Sequence, residues 1–207
     1  MRRFILPVLA VSTLSLLVAV PASSAGISKS EVQSKSLALS DMPTGWSVDH
    51  STSGALSNPG GCLSALEALK KPAKGTVRAH VQYDDQEVPA VQETLEAGKG
   101  AIARYDKYLK TLNGCTSVSF SDSGQTITGT VGAMSFPTVG NSSSAYAMNF
   151  TIEGESVGLD VVFFRVGQYD GDLEYVDYSP DTSTMQAFAQ EAAAKVEGKP
   201  TTPPTTF

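Results

Sequence analysis

Nucleophilic catalysis needs a base beside the nucleophile, and this 207-residue chain offers two histidines, His50 and His80. His50 falls in a polar loop and His80 on the polar side of an alternating segment, "TVRAHVQYD". Spacing alone does not exclude a His80–Ser–Asp triad, because triad members can lie far apart in sequence. No G-x-S-x-G elbow occurs, however, and serines are abundant enough to sit near any histidine by chance. His80 therefore reads as a solvated strand residue, and no catalytic residue is assigned.

Carboxylates gather in "YDDQE" (Asp84, Asp85, Glu87) and in "YDGDLE" (Asp170, Asp172, Glu174). Alternate carboxylates are the currency of calcium sites, but the second cluster lacks the full calcium-loop spacing. Both read as solvated acids at hairpin turns, and nothing fixes the separation a glycosidase pair would require. No metal and no cofactor is expected. Asp160 and Arg165 stand out because they interrupt "GLDVVFFRV", a run apolar on both faces. Five positions apart, they point to opposite faces of a strand and cannot simply pair. Each is expected to find a partner on a neighbouring strand, with Arg165 also a candidate for fixing the polar end of a ligand. Trp46, the one tryptophan, follows Pro43-Thr44-Gly45. It either closes a core or rims a cleft, and core closure is preferred. Trp46, Tyr83, Tyr146 and Arg165 are the candidate ligand-binding residues.

Residues 1–25 carry an export signal: Met1-Arg2-Arg3, an apolar run from Phe4 to Val20, and small residues ending at Ala25. The alternative is a membrane anchor, which the small-residue exit disfavours; no integral membrane segment is expected after cleavage. Without residues 1–25 the balance is 13 basic against 21 acidic residues, a net charge of −8. That balance excludes the clustered basic surface that nucleic acid rewards and that anionic lipid attracts. An exported chain meets an oxidising compartment, so the pair Cys62 and Cys115 reads as one disulfide. With no C-x-x-C in the chain, a metal or redox pair is disfavoured. The expected location is secreted, with cell-wall association as a variant.

Periodicity then supplies the elements. Residues 26–36 are read as a flexible arm, 37–198 as a single domain, and 199–207 as a disordered Pro/Thr-rich tail. "NPGGCLSALEAL" predicts a short helix entered through Asn58-Pro59, with Cys62, Leu66 and Leu69 on one face. "TVRAHVQYD" predicts a strand with Val77, Ala79, Val81 and Tyr83 inward. "AVQETLEAG" is ambiguous between strand and helix, and strand is preferred because a helix follows near Gly100. That helix has Ile102, Tyr105, Leu109 and Leu112 as its apolar stripe, with Arg104 off it, and Asn113-Gly114 ends it. Strands then follow to Tyr178, with a hairpin at Glu153-Gly154. A final helix begins at Pro180-Asp181 and buries Met185, Phe188, Ala192 and Val196. The expected fold is α+β: a twisted antiparallel sheet of about six to seven strands with helices packed on one face.

"LALSDMPTGWSV", "GCLSALEAL", "LKTLNGC", "AYAMNFTIEGESVGLDVVFFRVG" and "MQAFAQEAAAKVEG", in that order, resemble the PknH-type extracellular sensor domain. This domain also occurs in exported proteins and lipoproteins of actinobacteria. The resemblance spans roughly Leu37 to Gly198. It implies an antiparallel sheet with packed helices, a cleft suited to a small ligand, no enzymatic activity, and cysteines at 62 and 115 matching disulfide positions of the family. Neither a kinase domain nor a lipid-bearing cysteine accompanies it here, and no family ligand residue transfers. The function expected is that of a secreted, non-catalytic binding or sensor-like domain holding a small or lipid-like molecule. The rivals are an envelope protein–protein interaction factor and, behind it, a secreted hydrolase.

Overall fold

A computed structural model describes residues 26–50, 57–86, 88–122, 124–152 and 154–204. The export signal and Glu87 lie outside the described residues. Among the described residues nine strands form one antiparallel sheet: β1 (Ser47–Val48), β2 (Ser57–Gly61), β3 (Val77–Asp84), β4 (Ala90–Ala97), β5 (Ser117–Asp122), β6 (Gln125–Met134), β7 (Ser142–Ile152), β8 (Glu155–Val166) and β9 (Tyr169–Asp177). Their order across the sheet is β1-β3-β4-β9-β8-β7-β6-β5-β2. Helices are α1 (Lys29–Lys35), α2 (Leu63–Leu69), α3 (Lys99–Asn113) and α4 (Thr182–Glu197). The expectation of six to seven strands is corrected by β1 and β2, the two edges. Neither alternates: β1 has two residues and β2 is Ser-Asn-Pro-Gly-Gly, so their pairing partners, not their side chains, make them strands.

Helices on one face is also corrected. Along β8, Val162, Phe164 and Val166 belong to one core cluster, with α1 and α4 residues Val32, Met185, Phe188 and Val196. Val161 and Phe163 belong to another, with Leu66 of α2 and Tyr105 and Leu112 of α3. Successive strand side chains point to opposite faces, so each face of the sheet carries its own pair of helices. A strand apolar on both sides demands this: burying Phe163 and Phe164 together requires cover above and below. As anticipated, the disulfide Cys62–Cys115, with Cα atoms 5.7 Å apart, joins the start of α2 to the end of α3 on one face.

The arm and tail are tied down. Ser28 Oγ caps α1 by accepting the Glu31 N–H at 3.1 Å, Val32 is fully buried, and Tyr169 donates to Glu31 at 2.6 Å. Residues 29–35 are thus a docked helix rather than a loose arm, anchored by one valine that leaves almost no periodic signal. Beyond Gly198, whose φ of +72° ends α4 in the left-handed turn favoured by glycine, Thr202 N–H donates to Glu191 at 3.1 Å and Pro204 is buried. The first part of the tail therefore lies on α4.

Two buried details of the α4 face make testable predictions. Phe164 and Gly171 are register partners on β8 and β9, and a Cβ on Gly171 would overlap the Phe164 ring. With Phe164 fully buried the ring has nowhere to retreat, so Gly171→Ala is expected to destabilise by about 1–3 kcal/mol, read as a lowered urea midpoint. Beside them, Glu93 is fully buried. Its Oε2 accepts the Leu37 N–H at 2.6 Å, while Oε1 has no hydrogen-bond partner among the described residues. Burial pushes its carboxyl up to about 8, and the charges of Asp172 and Asp41 add to this, against the Leu37 N–H and Lys195. Because the folded value lies above the ordinary one, the folded state holds a proton the unfolded chain releases. The stability tied to that proton is complete below about 4.5 and disappears as pH rises toward 8. Glu93→Gln keeps an acceptor for Leu37 and needs no proton. The variant should gain on the native protein by about 3 kcal/mol between pH 4.5 and 7, measured by urea unfolding across that range.

Candidate functional site

Three rows of side chains cross the sheet on the face covered by α2 and α3. Arg78, Glu96, Asp170 and Arg165 are matched on β3, β4, β9 and β8; His80, Thr94, Asp172 and Phe163 form the next row; Gln82, Gln92, Glu174 and Val161 the third. The period-two pleat puts all twelve on one side. The β8 end of each lower row is apolar and lies in the α2–α3 core, whereas the β3, β4 and β9 end is polar. The acids of "YDGDLE", expected at a solvated turn, instead run along β9 facing α3. Sequence reasoning missed them as a site. The available signal was their spacing at i, i+2 and i+4, which on a strand is one face.

Glu96 organises the helical wall. It is 1% exposed; its Oε1 takes the Arg78 Nε–H at 2.5 Å and its Oε2 pairs with Arg104. Both guanidiniums then reach the C-terminal end of α2: Arg78 donates to the Lys70 carbonyl at 2.6 Å and Arg104 to the Leu69 carbonyl at 2.9 Å. Cations suit the carbonyl end of a helix. Arg104, placed off the apolar stripe of α3 by sequence, is therefore buried, and Ile102, placed on it, is 39% exposed.

Between this wall and the polar floor lies a basin of about 460 Å³, with His80, Thr94, Asp172 and Glu174 beneath and Lys70, Arg104 and Tyr108 at the side. A small hollow of about 10 Å³ adjoins it and shares Arg104, Tyr108 and Asp172; its lining also includes Glu96, Tyr105, Phe163 and Asp170. That volume suits one water-sized group. Among the described residues, Asp170 Oδ2 and Arg104 Nε, both buried, have no hydrogen-bond partner.

The basin's charges are unevenly compensated. Arg78 and Arg104 are held by Glu96, and Lys70 pairs with Glu67 at 2.5 Å. Glu174 accepts one hydrogen bond, from Gln92 at 3.1 Å. Burial, then the neighbouring Glu174 charge, pushes the Asp172 carboxyl up to about 7, with Glu96 adding and Arg104 and Arg78 opposing. Burial likewise raises Glu174, against Lys70. His80 is lowered by burial and then by Arg78 and Lys70; its Nδ1 lies 3.2 Å from the Thr94 hydroxyl. Thr94 stands between His80 and Asp172, so the carboxylate adjoins the hydroxyl and not the imidazole. That order does not make a nucleophile relay, in which the acid orients the base.

The four sequence candidates lie elsewhere, on both sides of the sheet. Trp46 packs against Phe188 with ring centroids 5.5 Å apart, and Tyr83 is buried, donating to the Leu37 carbonyl at 3.1 Å; both join the α4 core. Tyr146 is in the opposite core and donates to Asn113 at 2.7 Å. Arg165 pairs with Asp170 at 2.6 Å and Asp106 at 3.4 Å and lies over the Tyr105 ring at 4.6 Å. With two candidates on each face, they do not line one cleft. Asp160 is buried on the α4 side, and burial followed by the Asp181 charge raises its carboxyl. Among the described residues no group of three His, Cys, Asp or Glu could hold a metal ion, and no helix is long and apolar enough to cross a membrane.

No family model matches this sequence, and no curated protein matches it. Among solved structures the chain is similar to the crystal structure of the extracellular domain of PknH from Mycobacterium tuberculosis, with a TM-score of 0.63 at 12% identity, over 84% of this chain and 96% of that one. At that identity the likeness is one of fold: an α+β domain on a large antiparallel sheet.

Proposed function

We propose that this chain is an extracellular, non-catalytic, sensor-like domain that holds a small polar molecule in the basin between α2–α3 and the polar end of the sheet. The basin itself carries the proposal: about 460 Å³ is the size of a small-ligand site, and its walls are fixed by a buried ion-pair network. The fold shared with the PknH extracellular domain and the disulfide support an extracellular setting. A lipid-like ligand, part of the sequence expectation, is not carried forward, because the lining is charged and hydroxylic.

The test is native mass spectrometry of the protein secreted by its own host. A bound compound is expected, and Thr94→Trp, which fills the basin floor, should release it without lowering the melting temperature by more than a few degrees. Protein that emerges empty, or a compound that Thr94→Trp retains, would overturn the reading.

A further inference from the structure

We infer that the basin floor receives the ammonium group of a small polar amine, held by Asp172 and Glu174 beside the small hollow that adjoins it. This rests on the binding function proposed above and names the class of its ligand.

Three observations converge. First, the basin lining carries four cations, Lys70, Lys71, Arg78 and Arg104, three of them committed to carboxylates, and two acids on its floor that are not. Arg78, Arg104 and Lys70 already have carboxylate partners, whereas Asp172 and Glu174 have no ion-pair partner among the described residues. They are two positions apart on β9 and share a face, so one ammonium can reach both. Second, the hollow behind Asp172 is lined by Asp170, 5% exposed, whose Oδ2 is unpartnered. An ammonium hydrogen, or a single water relaying it, would satisfy that oxygen. Third, the remaining surroundings suit a polyfunctional organic cation better than a bare metal ion. Thr94, Gln92 and His80 offer neutral hydrogen-bonding groups, the space far exceeds one ion, and no group of three His, Cys, Asp or Glu among the described residues could hold a metal ion. A cation also offsets the burial that raises both carboxyls and the Glu174 charge that adds to it at Asp172, so occupancy should bring Asp172 to its charged form.

The test uses the full secreted protein with its disulfide intact and follows backbone amide resonances of β4 and β9. The probes are cadaverine and spermidine, with 1,5-pentanediol and N,N′-diacetylcadaverine as uncharged counterparts. The amines should shift basin resonances at millimolar concentration and the uncharged counterparts should not. Binding should tighten from pH 6 to pH 8, as Asp172 ionises while the amines stay protonated. Asp172→Asn, nearly isosteric and freed of a strained ionisation, should fold and weaken binding by about tenfold or more. Glu174→Gln supplies the same test independently. The inference is overturned if neither amine perturbs the basin, if the uncharged counterparts bind equally, or if both variants bind as the native protein does. A host-derived compound released by Thr94→Trp, together with amine indifference, would leave the binding function standing and sink only the ammonium. An empty native protein with no response to any probe would sink both.

Discussion

Glu96→Gln is expected to destabilise the protein by about 4 kcal/mol and to loosen α2 before the rest of the fold. One partner of a buried ion pair cannot be removed cheaply, because the other charge stays buried without compensation, typically at about 3–5 kcal/mol. Here one carboxylate holds two guanidiniums, and Gln can accept from only one of them with its single carbonyl oxygen. The same guanidiniums cap the Leu69 and Lys70 carbonyls, so the loss should spread along α2, the wall of the basin. Equilibrium urea unfolding reads the global effect, and amide hydrogen exchange reads α2 separately. A variant within 1 kcal/mol of the native protein would mean that the network is ornamental and that α2 is placed by its apolar face alone.

Cys62→Ser with Cys115→Ser is expected to cost a similar amount. Closing the 53-residue separation between the two sulfurs restricts the unfolded chain by about 4 kcal/mol on the entropy model. The bridge joins the two helices that form the basin's upper wall. Thermal unfolding should therefore show a lowered midpoint with an unchanged folded-state far-UV spectrum, and the native protein under reductant should behave like the double variant. The loss ought to be nearly additive with Gly171→Ala, since Gly171 packs against the other core. A double variant as stable as the native protein would show that α2 and α3 are positioned without the bridge.

The ammonium inference also makes the pH dependence of the two carboxyl sites separable. Glu93 lies on the α4 face and Asp172 on the α3 face, both raised by burial. Both favour the folded state at lower pH by the same sign of linkage. Only Asp172 is open to a ligand, so an amine should flatten its share of the pH profile and leave that of Glu93 intact.

Much of the architecture was legible in the residues. The alternation in Val77–Asp84, the stripe Met185, Phe188, Ala192 and Val196, and the two-residue turn between β7 and β8 are local signals, and the sheet and α4 follow from them. The double-sided apolarity of "GLDVVFFRV" was legible too, though its consequence, helices on both faces, is one that periodicity states only indirectly. An apolar stripe says that a helix is buried and not against which side.

What the chain itself determined, then, is an antiparallel α+β domain with one cysteine pair and segments whose buried faces are set by periods of 2 and 3.6. Tertiary structure alone decided the edge strands, the docking of α1 and the placing of the site. β1 and β2 exist because β3 and β5 offer them hydrogen bonds. Glu93, Glu96 and Arg104 are buried because each meets a specific partner from a distant segment, and a charge buried through pairing carries no periodic mark in sequence. The basin arises for the same reason: Arg78, Thr94, Arg104 and Asp172 come from four separate elements, and only the register of β3, β4 and β9 beneath α3 brings them together.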